Sequence, residues 1–403
     1  MEMVFAERMG HVKKSFIREI LKVTEDPSVI SFAGGLPSPA SFPVEAIDRA
    51  AQAVLAEDGA NALQYSTTEG FLPLREFICA RYAKRFGLRV TPEEILITNG
   101  SQQGLDLIGK VFLDEGDGVL LEAPGYLGAI QAFSLFSPHF HTVPLRQDGV
   151  DVDALQAVLE THAPKLFYAV PNFQNPSGLS YSRANRERAA AVLKQHDTIF
   201  IEDDPYGELR FAGEEAPSMR TFLGGQSILL GSFSKIVAPA MRLGWICAKP
   251  EIMEKLIVAK QASDLHTNAF AQRVVARYLA DNDLDKHIEK IRQMYKMRSD
   301  CMADAIARYF PPDVHCTRPQ GGMFMWATLP EGMSSIDLFQ RASAMRVAFV
   351  PGAPFYVDRS DVNTLRLNYT NSDEAAIQEG ICRLGQAMTE MLSGVGRVEA
   401  LAR

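Results

Sequence analysis

The chain of 403 residues has no CxxC pair, no HExxH and no GxxxxGK[ST], and no GxGxxG follows any of its strand-like runs. The first two absences speak against a structural or catalytic zinc site, since zinc needs closely spaced soft or imidazole ligands. The last two weaken a Rossmann dinucleotide site and a P-loop. The five cysteines, Cys79, Cys247, Cys301, Cys316 and Cys382, are scattered and odd in number. That is the pattern of buried free thiols in a reducing compartment, not of a disulfide framework. A basic excess is also missing: the formal net charge is −8, which argues against general nucleic-acid binding. The first 22 residues are interrupted by Glu2, Glu7, Arg8, Lys13 and Lys14. They read as neither a signal peptide nor a membrane span, and the expectation is a cytoplasmic protein. No repeat or low-complexity tract is visible.

What is present is ordinary soluble-enzyme composition, 47% hydrophobic and 22% charged, in a chain long enough for one large unit and a smaller one. From about residue 70, helical stretches alternate with short apolar runs. Leu72 to Phe86 and Gln102 to Phe112 read as helices. Ile95 to Thr98, Val119 to Leu121, Leu166 to Val170, Ile199 to Ile201 and Ile228 to Leu230 read as buried strands. Continuous apolar strands between helices predict an α/β fold with a mostly parallel sheet sandwiched by helices. In such sheets ligands bind beyond the carboxyl ends of the strands. The amphipathic segment Leu284 to Tyr309 breaks at Pro311-Pro312. It leads into a strand at Gly322 to Thr328, a helix at Ile336 to Met345, and strand-like pieces at Ala348-Phe349-Val350 and Thr364 to Asn368. A terminal helix is expected over Asp373 to Leu392. The division expected is an N-terminal arm over 1–45, a large domain over 46–283 and a smaller α+β domain over 284–403, with the arm packed on the smaller domain.

Several strand ends carry chemistry. Leu230-Gly231-Ser232-Phe233-Ser234-Lys235, with Arg242 seven residues on, sets two hydroxyls, an amine and a guanidinium in one short loop. Such a loop suits a phosphate held beside a reactive lysine, which can hold an aldehyde cofactor covalently. Thr98 to Gln103 opens a helix after a strand and reads as a phosphate cradle or as a simple N-cap by Ser101. Tyr126, after Glu122-Ala123-Pro124-Gly125, can stack on a flat ring or merely pack at the surface. Pro171 to Gly178 is a turn signal whose Asn175 amide can also bind a ring oxygen or a carboxylate. Glu202-Asp203-Asp204 places three acids at a strand end, one of which could keep a pyridine nitrogen protonated. A solvated acidic loop or a magnesium site is the competing reading there, the latter weakened by the missing phosphate-transfer motif.

Taken together, these motifs resemble those of the class I/II, fold-type-I pyridoxal-phosphate aminotransferases, and more narrowly the branch of 2-aminoadipate and kynurenine aminotransferases. The resemblance runs from Ser15 to about Leu392. It is carried by Ser31 to Pro37, Gln64-Tyr65, Gly100 to Gln103, Pro171 to Gly178, Asp203-x-x-Tyr206, Ser232-x-Ser234-Lys235 with Arg242, and Thr364 to Leu367. It implies that Lys235 bonds the cofactor and then carries the substrate proton. Asp203 would face the pyridine nitrogen, and Tyr206 and Asn175 the ring hydroxyl. Ser101, Gln102, Ser232, Ser234 and Arg242 would hold the phosphate, with Tyr65 reaching it from the second subunit of a homodimer. Tyr126 would stack on the ring.

Arg366 would clamp the substrate α-carboxylate as a bidentate pair, with Asn175 beside it. Gly35, in the Gly34-Gly35 turn, and Arg18 are the expected determinants of substrate choice, Arg18 by meeting a distal carboxylate. A surface salt bridge is the other reading of Arg18. The activity implied is ping-pong transfer of an α-amino group from 2-aminoadipate, glutamate, or aromatic or branched donors to a 2-oxo acid such as 2-oxoglutarate. No metal, nucleic acid or membrane partner is expected. β-Elimination or decarboxylation on the same cofactor is the alternative, because fold does not fix reaction. A non-enzymatic regulator is disfavoured, since the arm before Ser31 reads as too short and too acidic for a winged helix.

Overall fold

The computed structural model describes residues 4–11, 26–359 and 362–401. The first strand, β1 (Ile30–Ser31), belongs to a small pair described below. Strands β2 (Ile95–Thr98), β3 (Gly118–Ala123), β4 (His139–Arg146), β5 (Gly149–Val150), β6 (Leu166–Ala169), β7 (Ile199–Asp203), β8 (Ser227–Ser232) and β9 (Gly244–Cys247) make one sheet, ordered β2-β9-β8-β7-β6-β3-β4-β5. The consecutive neighbours from β8 to β4 are parallel; β9 runs antiparallel to both β8 and β2.

The apolar runs are continuous because both faces are covered. Leu166, Tyr168 and Ile201 enter one buried cluster, whereas Phe167, Ala169 and Phe200 enter another on the opposite face. This period-two sorting decides which strand-end side chains share a face.

Two of the predicted helices, Leu72–Phe86 and Leu284–Tyr309, have the expected bounds. Leu72–Phe86 has Pro73 in its first turn, and it ends at Gly87, whose φ of 66° lets its N–H reach back to the Ala83 carbonyl. Leu74, Ile78 and Tyr82 recur every fourth residue and are buried; truncating Ile78 to alanine would cost about 2–5 kcal/mol. Leu284–Tyr309 starts at Asp283, whose Oδ1 accepts from the Lys286 N–H at 3.2 Å. It stops before Pro311, which can offer no N–H. Its apolar face packs on the terminal helix Glu374–Leu401, which runs past the predicted end at Leu392; single glycines at 394 and 396 weaken a helix without breaking it.

Beyond residue 309, β10 (His315–Cys316) and β11 (Phe324–Thr328) open a second sheet, and β12 (Val347–Ala348), β13 (Val350–Pro351) and β14 (Thr364–Asn368) follow. The antiparallel order is β10-β11-β14-β13. Here the structure corrects one expectation: Ala348-Phe349-Val350 is not a single strand. Val347 and Ala348 pair in parallel with Ile30 and Ser31 of β1, while Val350 and Pro351 pair with Arg366 and Leu365. Phe349, fully buried between them, passes the chain from one sheet to the other. The segment after β1 is therefore stitched to this region, where Phe32 donates its N–H to Ala348 and accepts from Asn368. Among the described residues no helix is long and apolar enough to cross a membrane.

Candidate active site

The parallel strands end on a cleft of about 410 Å³. Ser232, Ser234 and Lys235 reach it because the chain turns sharply after β8: Ser234 donates its N–H to the Ser232 hydroxyl at 3.1 Å, and Val237 donates to the Phe233 carbonyl at 2.8 Å. Half-buried Lys235 donates from Nζ to the Gly35 carbonyl at 2.9 Å. Loss of solvent around its amine, helped by the charges of Arg366 and Arg242, pushes its pKa down to about 8. A fraction of this lysine is thus a free base near neutral pH.

One end of the cleft is cationic. Arg242 sits at φ 52° and donates from Nη2 to the Asn99 carbonyl at 3.2 Å. Beside it begins the helix Ser101–Phe112, and here the N-cap is Gly100, not Ser101. No side chain caps this start, so the Ser101 and Gln102 N–H groups stay available to an anion, while Gln103 donates to the Gly100 carbonyl. Gly244 is required by close packing against backbone, and Gly100 by its φ of 73°. A Cβ on Gly244 would stand 2.6 Å from the Ser101 nitrogen, and one on Gly100 2.8 Å from Arg242 Nη2. Gln102 donates to the Gly128 carbonyl at 2.8 Å and lines the same end.

The three acids at the end of β7 separate by strand face. Glu202 points to the far face, where it accepts from the Ser218 hydroxyl at 2.6 Å and faces Arg186 at 3.6 Å. Asp204 accepts from Asn172 Nδ2 and the Gly207 N–H, both at 2.9 Å, and from Arg85. Asp203 alone lines the cleft. Its Oδ2 accepts from the Tyr168 hydroxyl at 2.8 Å, and its Oδ1 is buried without a partner. Burial drives its pKa up to about 7, with the Tyr168 hydrogen bond pulling down and Asp204 pushing up. A solvated acidic loop is therefore not what these residues form.

The opposite wall carries Arg366, 3% exposed. It donates from Nη1 to Asn175 Oδ1 at 2.7 Å and from Nη2 to the Ala33 carbonyl at 2.6 Å; its Nε has no partner. The guanidinium lies over Phe324, 4.3 Å from the ring centre. Desolvation lowers its pKa to about 10, although Tyr206 and Tyr126 oppose the shift. Asn175 Nδ2 meets the Tyr206 hydroxyl at 3.4 Å. Burial pushes Tyr206 upward, and pushes Tyr126 up to about 12. Both phenols therefore remain donors.

The fold thus gathers Gly35, Ser101, Gln102, Tyr126, Asn175, Asp203, Tyr206, Ser232, Ser234, Lys235, Arg242 and Arg366 around one cleft. Tyr65 is absent from it: the residue is 79% exposed and touches His266 edge-on. Arg18 lies outside the described residues. Sequence reasoning passed over Tyr168, Val170 and Pro205, which also line the cleft. Tyr168 had a signal, a phenol inside an otherwise apolar strand, because a buried hydroxyl needs a partner.

Comparison with known proteins bears on the whole chain. The family model Aminotransferase class I and II matches residues 28–384. Aromatic-amino-acid aminotransferase 1 of Thermococcus litoralis is 45% identical over 395 residues, 96% of this chain and 95% of that protein. The 2-aminoadipate transaminase of Thermus thermophilus is 45% identical over 393 residues, covering 96% and 97%. A crystal structure of an alpha-aminoadipate aminotransferase from Thermus thermophilus, complexed with N-(5'-phosphopyridoxyl)-L-leucine, superposes with a TM-score of 0.90 at 44% identity, covering 96% and 98%.

Proposed function

The chain belongs to the class I and II aminotransferases, and from that premise we propose how its residues carry out transamination on pyridoxal 5'-phosphate. The observation that carries the reading is the buried, unpartnered Oδ1 of Asp203, in one cleft with Lys235 and Arg366. An orphaned carboxylate oxygen at that depth costs free energy unless a donor arrives, and a protonated pyridine nitrogen is such a donor. The uncapped helix start at Gly100, the hydroxyls of Ser101, Ser232 and Ser234, Gln102 and Arg242 fit the phosphate. Tyr126 fits the ring face, and Asn175 with Tyr206 the ring hydroxyl.

When bound, pyridoxal phosphate supplies an aldehyde and an electron-withdrawing ring. The remaining work belongs to the chain. Lys235 would bond the aldehyde, and its lowered pKa would let Nζ take the proton from the substrate α-carbon and pass it to the cofactor carbon that receives the amino group. Arg366, already oriented by Asn175, the Ala33 carbonyl and the Phe324 ring, receives the α-carboxylate. This orientation before substrate arrives lowers the entropic cost of binding.

Amino acids and 2-oxo acids are the substrates. The relatives' names span 2-aminoadipate and aromatic donors, which supports acidic and aromatic amino acids here; 2-oxoglutarate as acceptor and Arg18 as the residue meeting a distal carboxylate are proposed from the motif resemblance alone. The exposure of Tyr65, away from the cleft of its own chain, supports a homodimer in which it serves the partner's site. The deciding experiment is the half-reaction of purified protein with a panel of amino acids, followed by the cofactor's absorbance. Lys235→Ala should abolish it, and an unchanged half-reaction in that variant would overturn the assignment. In the same panel Arg18→Ala should weaken glutamate and 2-aminoadipate more than leucine; equal weakening removes Arg18 from the site. Sedimentation of a fully active monomer would end the dimer proposal.

A further inference from the structure

Asp203 has two oxygens, and this chain provides a partner for only one. Oδ2 accepts from the Tyr168 hydroxyl at 2.8 Å, while Oδ1 is buried without a partner in a residue that lines the cleft. The pairing follows from strand register. β6 and β7 are parallel with Tyr168 opposite Ile201, so Tyr168, Ile201 and Asp203 lie on one face. The phenol cannot swing away. Tyr168 is 1% exposed, with Phe133 edge-on at 6.3 Å and Tyr126 near-parallel at 6.4 Å between ring centres.

We propose that Tyr168 is a positioning residue, whose hydroxyl holds the Asp203 carboxylate in the orientation that presents Oδ1 to the cofactor's ring nitrogen. The proposal rests on the pyridoxal-phosphate reading of the cleft.

Two physical effects would fail without that hydroxyl. The terminal torsion of an aspartate is broad, so an unheld carboxylate samples many planes and aims its free oxygen poorly. Burial also favours the neutral acid here, and the Tyr168 hydrogen bond is the influence opposing it. A neutral Asp203 has no charge to offer a protonated ring nitrogen. Tyr168 thus links two parts of the site, backing the Tyr126 ring with its own ring and steering Asp203 with its hydroxyl. A hydroxyl that merely satisfied itself in the core would have no such coupling to cofactor binding.

The test is a double-mutant cycle on cofactor affinity. Wild type, Tyr168→Phe, Asp203→Asn and the double variant are stripped of cofactor. Each is melted as the apoprotein to show that it folds, then titrated with pyridoxal 5'-phosphate by absorbance. Phenylalanine keeps the ring against Tyr126 and Phe133 and removes only the hydroxyl. With Asp203 present, Tyr168→Phe should weaken affinity about tenfold, the size of a lost charge-assisted hydrogen bond. In the Asp203→Asn background the same change should cost less than about twofold, because the charge it steers is gone. Equal losses in both backgrounds, or none in either, would overturn the proposal and leave Tyr168 as packing.

Should Tyr168→Phe fail to fold, Phe133→Leu loosens the ring while keeping the hydroxyl. It should give a smaller loss that again disappears with Asp203→Asn; a loss independent of Asp203 counts against the idea. Wild-type protein that takes up no pyridoxal phosphate overturns the underlying reading instead, an outcome distinct from a failed cycle.

Discussion

Glu122, near the end of β3, and Asp203, at the end of β7, are chemically similar and equally deep, each about 2% exposed. Burial pushes both up to about 7. Yet Glu122 is fully engaged: its Oε1 accepts from the Tyr181 hydroxyl at 2.7 Å, and its Oε2 from Gln174 Nε2 at 3.1 Å and the Val170 N–H at 3.2 Å. Gln174 in turn accepts from the Ser177 N–H and donates to the Pro124 carbonyl, pinning the turn that carries Asn175. Asp203 has one donor and an open oxygen. Depth and a raised pKa therefore do not separate these two carboxyls. The unfilled acceptor does.

The comparison breaks most visibly at Asp203. Asp203→Asn should lower turnover about a thousandfold, since the charge opposite the ring is lost, while the apoprotein melts no lower than wild type. A large fall in its melting temperature would mean that Asp203 supports the fold as Glu122 does. Glu122→Leu should behave in the opposite sense. It strands three donors and should cost about 3 kcal/mol in denaturant unfolding, with a smaller effect on turnover of the folded fraction. Unchanged stability would show that the Glu122 network is dispensable.

A third test is in pH. Both carboxyls titrate near 7 in the folded chain but near 4 when unfolded. Between those values the folded apoprotein holds protons that the unfolded chain has released, so these groups make stability fall as pH rises from about 4 to about 7 and then level off. Asp203→Asn should flatten part of that decline, as read from denaturant midpoints at acidic and neutral pH. A slope identical to wild type would contradict a raised pKa at Asp203.

Much of this was legible in the sequence where the cause is local. Leu72–Phe86 and Leu284–Tyr309 declare their own ends through Gly87, Asp283 and Pro311. The loop Ser232 to Lys235 announces its chemistry by composition. The choice of Asp203 over Glu202 and Asp204 came from the resemblance, but its physical reason is strand face, with Arg186 and Ser218 waiting on the other side for Glu202. The less legible features depend on distant partners. Tyr168 meets an acid 35 positions away, and Arg366 meets an amide 191 positions away. Periodicity tells that a side chain is buried without telling what it is buried against. Phe349 was misread for the same reason: a three-residue apolar run cannot show that its two ends join different sheets. Ser101 was offered as a cap because serine favours that place, but the cap falls on Gly100, whose φ of 73° suits glycine.

The crowding around Gly100 and Gly244 also decides where this enzyme can evolve. A side chain at Gly244 would have to pass through backbone, and Gly100 holds a φ of 73° that other residues rarely adopt, so a mutational library at those two positions should return glycine and little else. Gly35 differs: a Cβ there would meet only the edge of Phe324, at an ordinary 3.4 Å. Selection for a new substrate would find the cationic end of the cleft closed to variation and the Gly35 side open to it. Heritable change in what the enzyme accepts is thereby steered away from the end proposed to hold the cofactor's phosphate.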